Sequence, residues 1–205
     1  MSLPFAPAAE RNKSAILEAL AARLPSRGVL LEIASGYGQH AAHLARHLPD
    51  WVIIPSDVSR ENLEVIEARR SIESLANFAE PLKIDAEQNP WPVAPCDAVL
   101  CINMIHISPW TTSEGLFRGA GRILSPGGSL LTYGPYQVAG AHTAPSNAAF
   151  DQRLRAMDPR FGIRDAEALD ALAVENGLSP SSRIEMPANN LILAFGTAQA
   201  PALQT

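Results

Sequence analysis

Two cysteines in 205 residues, Cys96 and Cys101, are too few for a disulfide framework, and their spacing does not match a zinc site. Positive charge is also scarce. The formal net charge is -5, so the chain has no basic footprint and is not expected to bind nucleic acid generally. No apolar run is long enough to span a bilayer, and no membrane partner is expected. Met1 to Glu10 lacks the basic start and apolar core of a signal peptide. These absences together lead to the expectation of a cytoplasmic protein. Repeats, low-complexity tracts and linkers are missing too. A single domain over residues 1–197 is therefore expected, with 198–205 as a flexible tail. What remains is an ordinary balance of 47% hydrophobic and 18% charged residues, enough for a full core.

Helix-period and strand-like segments alternate. Ala8 to Leu24 places Ile16, Leu17, Leu20 and Leu24 on one helical face. Gly28 to Ala34 reads as a strand, Gln39 to Leu48 as a helix, Trp51 to Pro55 as a second strand and Glu61 to Leu75 as a helix. Leu82 to Asp85 and Ala98 to Ile102 supply strands three and four. Thr112 to Leu124 is a helix that Ser125-Pro126-Gly127-Gly128 stops before a fifth strand, Ser129 to Tyr133. The strands are apolar at successive positions, which suits a parallel sheet covered on both faces. Helices at Asn147 to Met157 and Asp165 to Asn176 follow, with Gly177 as a stop. Ser181 to Met186 and Leu191 to Phe195, joined through Asn189-Asn190, read as a closing antiparallel hairpin. The expected architecture is α/β and Rossmann-like: a seven-stranded, mostly parallel sheet with an antiparallel last strand and helices on both faces.

The first strand runs into Glu32-Ile33-Ala34-Ser35-Gly36-Tyr37-Gly38 and opens a helix. Glycines one residue apart allow unusual φ and close backbone approach to a ligand. Asp57 follows about 20 residues later, where an acid can accept bonds from ribose hydroxyls. Glu32 is the unusual member. A buried carboxylate is costly without a partner and has little use beside a pyrophosphate, whereas a ligand with a sulfonium and an amino group would tolerate it. Asp85-Ala86, at the exit of strand three, is placed to reach an adenine amino group or to cap a turn. Asn103 and His106 lie at the exit of strand four and would face the glycine loop if strands one and four flank the switch in strand order. His40, His43 and His47 recur at helical spacing, but no acid or cysteine completes a set, so no metal is expected.

With these residues the chain resembles the class I S-adenosylmethionine-dependent methyltransferases over nearly its whole length. It is similar in particular to the small proteins called methyltransferase-like 26, a family first catalogued as a domain of unknown function. That likeness is carried by Ala8 to Lys13, Glu32 to His40, Asn103 to His106, Ala141 to Asp151 and Met186 to Leu191. Ala34 departs from the superfamily, which usually has glycine there. The resemblance implies strand order 3-2-1-4-5-7-6 and S-adenosylmethionine as cofactor. It also implies methyl transfer to an acceptor, a small molecule or protein side chain, that it does not identify, and no oligomeric state. The implied cofactor-binding set is Arg11, Glu32, Ala34, Gly36, Gly38, Asp57, Asp85, Ala86 and Asn103. Glu32 or the loop backbone would hold the amino-acid end, with Arg11 on its carboxylate, Asp57 the ribose, and Asp85 with Ala86 the adenine. Where the acceptor must lose a proton, His106 is the candidate catalytic acid or base, with Tyr133, Tyr136 and His142 as pocket neighbours. Two other readings stay open: an NAD(P)-dependent oxidoreductase, and a non-catalytic S-adenosylmethionine-binding regulatory protein.

Overall fold

Strand β1 (Gly28–Ile33) shows why the sheet must be covered twice. Its last four residues are all buried, and side chains alternate faces along a strand. Leu30 therefore enters one core, with Ile16, Leu44 and Ile53, while Leu31 enters the other, with Val99, Phe117 and Phe195. The computed structural model describes residues 3–198. Of the expected tail, residues 199–205 lie outside the described residues, and the Ala198 carbonyl accepts from the Gly127 N–H at 3.1 Å.

Helix α1 (Pro7–Ala21) precedes β1. After it come α2 (Gln39–His47), β2 (Trp51–Asp57), α3 (Arg60–Glu73), β3 (Leu82–Lys83), β4 (Cys96–Ile102), a 3-10 turn at Met104–His106, α4 (Trp110–Ile123) and β5 (Leu124–Gly134). Short strands β6 (Tyr136–Val138), β7 (Ala141–His142) and β8 (Arg164–Asp165) surround α5 (Pro145–Met157) in the chain. Helix α6 (Ala166–Glu175), β9 (Ser179–Met186), a second 3-10 turn at Pro187–Asn189 and β10 (Asn190–Gly196) complete it. The main sheet has seven strands in the order β3-β2-β1-β4-β5-β10-β9, and β10 runs antiparallel to both neighbours. With β6–β8 set aside as a separate three-stranded sheet, this is the expected order 3-2-1-4-5-7-6.

The differences from expectation are local. Helix α1 ends at Ala21, three residues early, although Leu24 still packs against the core. Ser125–Gly128 does not precede β5 but belongs to it, between the pairings Cys96 with Leu124 and Ala98 with Ser129. Sequence periodicity gave no sign of β6–β8, because strands of two or three residues carry no readable period. The stops and caps follow ordinary chemistry. Gly177 adopts φ +75 after α6, Ser59 Oγ accepts from the Asn62 N–H at the start of α3, and Asp165 caps α6.

Two glycines of α4 set where the loop after β3 lies. A Cβ at Gly115 would stand 2.3 Å from the Ala86 carbonyl oxygen, and one at Gly119 would stand 2.2 Å from the Trp91 ring. Segment 85–91 therefore rests directly on the α4 backbone. Gly119→Ala gains about 1 kcal/mol of helix propensity but forces the buried indole to move, at a cost of about 1–3 kcal/mol. The expected result is a lower urea midpoint; an unchanged or higher midpoint would show that Trp91 yields freely.

Candidate functional site

The loop between β1 and α2 is fastened to the end of β2. The Ser35 N–H donates to the Ser56 carbonyl (2.7 Å), and the Ser56 N–H donates back to Ser35 Oγ (3.1 Å). The Gly36 N–H donates to Asp57 Oδ2 at 2.9 Å, and the Ser59 N–H to Asp57 Oδ1 at 2.9 Å. One carboxylate thus orders both the glycine loop and the entry to α3. Ala34, Gly36 and Gly38 all have positive φ, at 57, 57 and 71. Ala34 takes the left-handed conformation at a cost of about 1–2 kcal/mol, so the loop keeps its shape without the usual first glycine. A Cβ at Gly38 would press on Ile66 of α3 at 3.1 Å.

Two hollows meet over this loop, at the carboxyl ends of β1 and β4 where the strand order reverses. The larger is a cleft of about 410 Å³ whose walls include Ala34, Gly36, Asp57, Asp85 and Ala86. The smaller, about 160 Å³, lies between the loop, the start of α1 and Asn103. They share Ala34, Gly36 and Ile102. Asp57 is only 5% exposed, yet each of its oxygens, with one bond made, keeps a lone pair for a ligand. Asp85 Oδ1 accepts from the Glu87 N–H (3.0 Å), and Thr112 Oγ1 donates to Glu87 Oε1 (2.6 Å), tying the Asp85 turn to α4. Asn103 sits at φ 61 and its N–H donates to the Tyr133 carbonyl at 2.8 Å.

The structure therefore brings together Ala34, Gly36, Asp57, Asp85, Ala86 and Asn103. The other members of the expected set lie elsewhere. Gly38 ends the loop as the N-cap of α2 and lines neither hollow. Arg11 is exposed on α1; that helix instead presents Ala8 and Ala9, after Ala6, to the smaller hollow. Glu32 shares the face of Leu30 and is sealed beneath the loop, 1% exposed. Its Oε2 has no hydrogen-bond partner, and Oε1 lies 3.9 Å from His40 Nδ1. Burial, reinforced by the charge of Asp57, pushes its carboxyl up to about 7. Burial likewise pulls His40 down to about 4, so this contact is not an ion pair at neutral pH. The other His40 ring nitrogen meets Asn12 Oδ1 at 2.7 Å, whereas the His43 and His47 rings lie against each other, tilted by 49°, with centroids 4.3 Å apart.

The expectation for His106 needs correcting on position. The residue is fully buried, edge-on to Tyr136 at 5.0 Å, and neither ring nitrogen has a partner. Burial and the charge of Arg164 pull it down to about 3. A neutral histidine in the core does not touch the cleft. Tyr136 is also buried and donates to Thr132 Oγ1 at 2.8 Å. His142 Nε2 stands 3.7 Å from Asp151 Oδ2, and neither His142 nor Tyr133 lines the two hollows. Sequence reading missed Val58, Asn62, Met104, Ile107, Ser108 and Thr112, all on the cleft wall. Nothing in their local pattern marks them; topology alone gathers them.

Residues 3–197 match the family described as "Protein of unknown function (DUF938)", and the chain belongs to that family. Its fold is similar to that of solved methyltransferases. An O-methyltransferase family protein from Burkholderia thailandensis superposes with a TM-score of 0.79 at 13% identity, over 92% of this chain and 57% of that one. A putative O-methyltransferase from Nostoc punctiforme gives 0.78 at 20% identity, over 90% and 55%. The SAH-bound form of CalO1, a methyltransferase in calicheamicin biosynthesis, gives 0.73 at 16% identity, over 91% and 54%. The chain spans a little over half the length of each of these proteins. The shared architecture is the class I methyltransferase fold. Among the described residues no helix is long and apolar enough to cross a membrane.

The sealed Glu32 makes a measurable prediction. Its folded pKa is raised from 4.5 to about 7, so between those values the folded chain keeps a proton that the unfolded chain has released. Relative to Glu32→Gln, wild-type stability should fall as pH rises through that window and then level off, by up to about 3 kcal/mol. Urea unfolding of both proteins at about pH 5 and about pH 8 checks this, with the depressed histidines cancelling because both proteins carry them. An equal difference at the two pH values would mean that Glu32 has a partner.

Proposed function

We propose that this member of the DUF938 family is an S-adenosylmethionine-dependent methyltransferase acting on an acceptor still to be identified. The observation that carries the reading is the bond from the Gly36 N–H to Asp57 Oδ2, at 2.9 Å. A dinucleotide enzyme needs the loop's N–H donors for its pyrophosphate. Here the donor of the loop's central glycine is already taken by a carboxylate, that of Asp57. That arrangement opposes a phosphate and suits a ligand that is cationic where it crosses the loop. Two hollows joined across Ala34 and Gly36 also suit an elongated ligand with a nucleoside end and an amino-acid end.

In this reading Asp57 accepts bonds from ribose hydroxyls, using the lone pairs that Gly36 and Ser59 leave free. Asp85 and the Ala86 backbone hold the adenine, between Ile84 and Ile107 on the cleft wall. The amino-acid end lies in the smaller hollow. There Asn103 and the start of α1, whose N-cap Ala6 brings no side-chain cap, offer donors to a carboxylate. Bound S-adenosylmethionine supplies an activated methyl group for in-line displacement, and alignment furnishes much of the rate. A base is needed only when the acceptor must lose a proton. With His106 in the core, the reading assigns it to support of the Met104–His106 turn, and Arg11 and Gly38 drop out of direct contact.

Calorimetry with S-adenosylmethionine, S-adenosylhomocysteine, NAD and NADP tests the proposal. Binding is expected for the first two. Asp57→Ala should weaken S-adenosylhomocysteine by roughly 10- to 100-fold, the loss of charge-assisted hydrogen bonds worth about 1.5–3 kcal/mol. Tight NAD binding without any S-adenosyl signal would overturn it.

A further inference from the structure

The smaller hollow has two walls that lie far apart in the chain. One is the glycine loop with the start of α2, and the other is the start of α1. Further along, α1 is seated on α2, where Ile16 and Leu20 share a core with Ala41 and Leu44. The first turn of α1 has less to hold it, because alanines at 6, 8 and 9 bring little area to bury. One side chain spans the gap. Gln39, the first residue of α2, is buried, and its Oε1 accepts from the Ala6 N–H at 2.6 Å. Its Nε2 donates to Glu10 Oε1 at 2.7 Å and to the Ala6 carbonyl at 3.5 Å. An ionised carboxylate only accepts, so Glu10, which also pairs with Lys13, fixes which way the amide faces. Gln39 lines the hollow, yet its amide is committed to α1.

Arg69 of α3 braces the same wall from outside. Its Nε donates to the Tyr37 carbonyl of the glycine loop at 2.7 Å, and its Nη2 to the Pro4 carbonyl at 3.2 Å. Arg69 itself lines neither of the two hollows over the loop. What the two side chains hold in place is a pair of donors. The first N–H groups of a helix have no intrahelical partner. In α1 the first position is Pro7, which has no N–H, and Ala6 brings no side-chain cap. The donors at the hollow are therefore those of Ala8 and Ala9, both on its wall. The hollow shares Ala34 and Gly36 with the larger cleft, so a group held there belongs to the far end of the same ligand.

We propose that Gln39 is a positioning residue. It sets the start of α1 over the glycine loop so that the Ala8 and Ala9 N–H groups meet the carboxylate of the cofactor's amino-acid end. The proposal rests on the methyl-transfer reading. Two ligands separate the ends of the site: S-adenosylhomocysteine carries the amino-acid end, and methylthioadenosine has the same adenine, ribose and sulfur without it. Calorimetry with both is run on the wild type, Gln39→Met and Arg69→Gln, with thermal unfolding of each protein alone. Gln39→Met keeps the side-chain length and helix propensity and makes none of the three hydrogen bonds. The wild type should favour S-adenosylhomocysteine. Gln39→Met should weaken that ligand by roughly 5- to 10-fold, as for one lost hydrogen bond, and leave methylthioadenosine unchanged. Arg69→Gln, at a half-buried position, should act in the same direction, and it decides the matter if Gln39→Met does not fold. A merely structural role would lower the unfolding temperature and weaken both ligands alike. Equal weakening of the two ligands, no weakening of either, or equal binding of both by the wild type overturns the role of Gln39. A wild type that binds neither ligand overturns methyl transfer itself.

Discussion

The Asp57 carboxylate is the point on which the site depends. It ends β2, receives the Gly36 N–H from the β1 loop and the Ser59 N–H from the entry to α3, and still lines the cleft. Charge-assisted bonds to backbone N–H groups are stronger than neutral ones. The loop can therefore keep a left-handed alanine at Ala34 where a glycine would be easier. The same contact limits the chemistry, because a loop whose central N–H is occupied by a carboxylate is a poor phosphate cradle.

Around this point the chain tolerates two expensive residues. Glu32 is buried with one oxygen unpartnered, and His106 is buried with neither ring nitrogen partnered. Both lie beneath the parts of the sheet end that carry the hollows: the glycine loop above Glu32 and the Met104–His106 turn next to Asn103. Burial drives both toward their neutral forms, the acid upward and the imidazole downward, which removes most of the cost of enclosing a charge. His106 is thus neutral near neutral pH while Glu32 only begins to ionise there, and the carboxylates that line the larger hollow are those of Asp57, Asp85 and Glu87.

Most of the fold was legible because the signals were long. Strands apolar at successive positions announced burial on both faces, and Leu30 and Leu31 do enter opposite cores. The closing hairpin was legible from two apolar runs joined through asparagines. What escaped was short or non-local. β6, β7 and β8 have two or three residues each, too few for a period. Gly115 and Gly119 read as mid-helix glycines, and only packing shows that they admit Ala86 and Trp91.

For the candidate site, the sequence determined where the glycine loop would be and which acids stand near it. Glycines one residue apart after a buried strand, followed by an acid at the end of the next strand, form a pattern within one βαβ unit, and that unit folds in one way. Direction was decided by the tertiary structure. Period-two alternation sends Glu32 to the face of Leu30 and seals it under the loop. The 3-10 turn rolls His106 onto Tyr136, and Arg11 is left in solvent while its helix brings Ala8 and Ala9 to the hollow. A residue's place along the chain follows from local chemistry. Whether its side chain reaches the hollows over the loop depends on which distant elements pack over it, here α1 and the turn after β4.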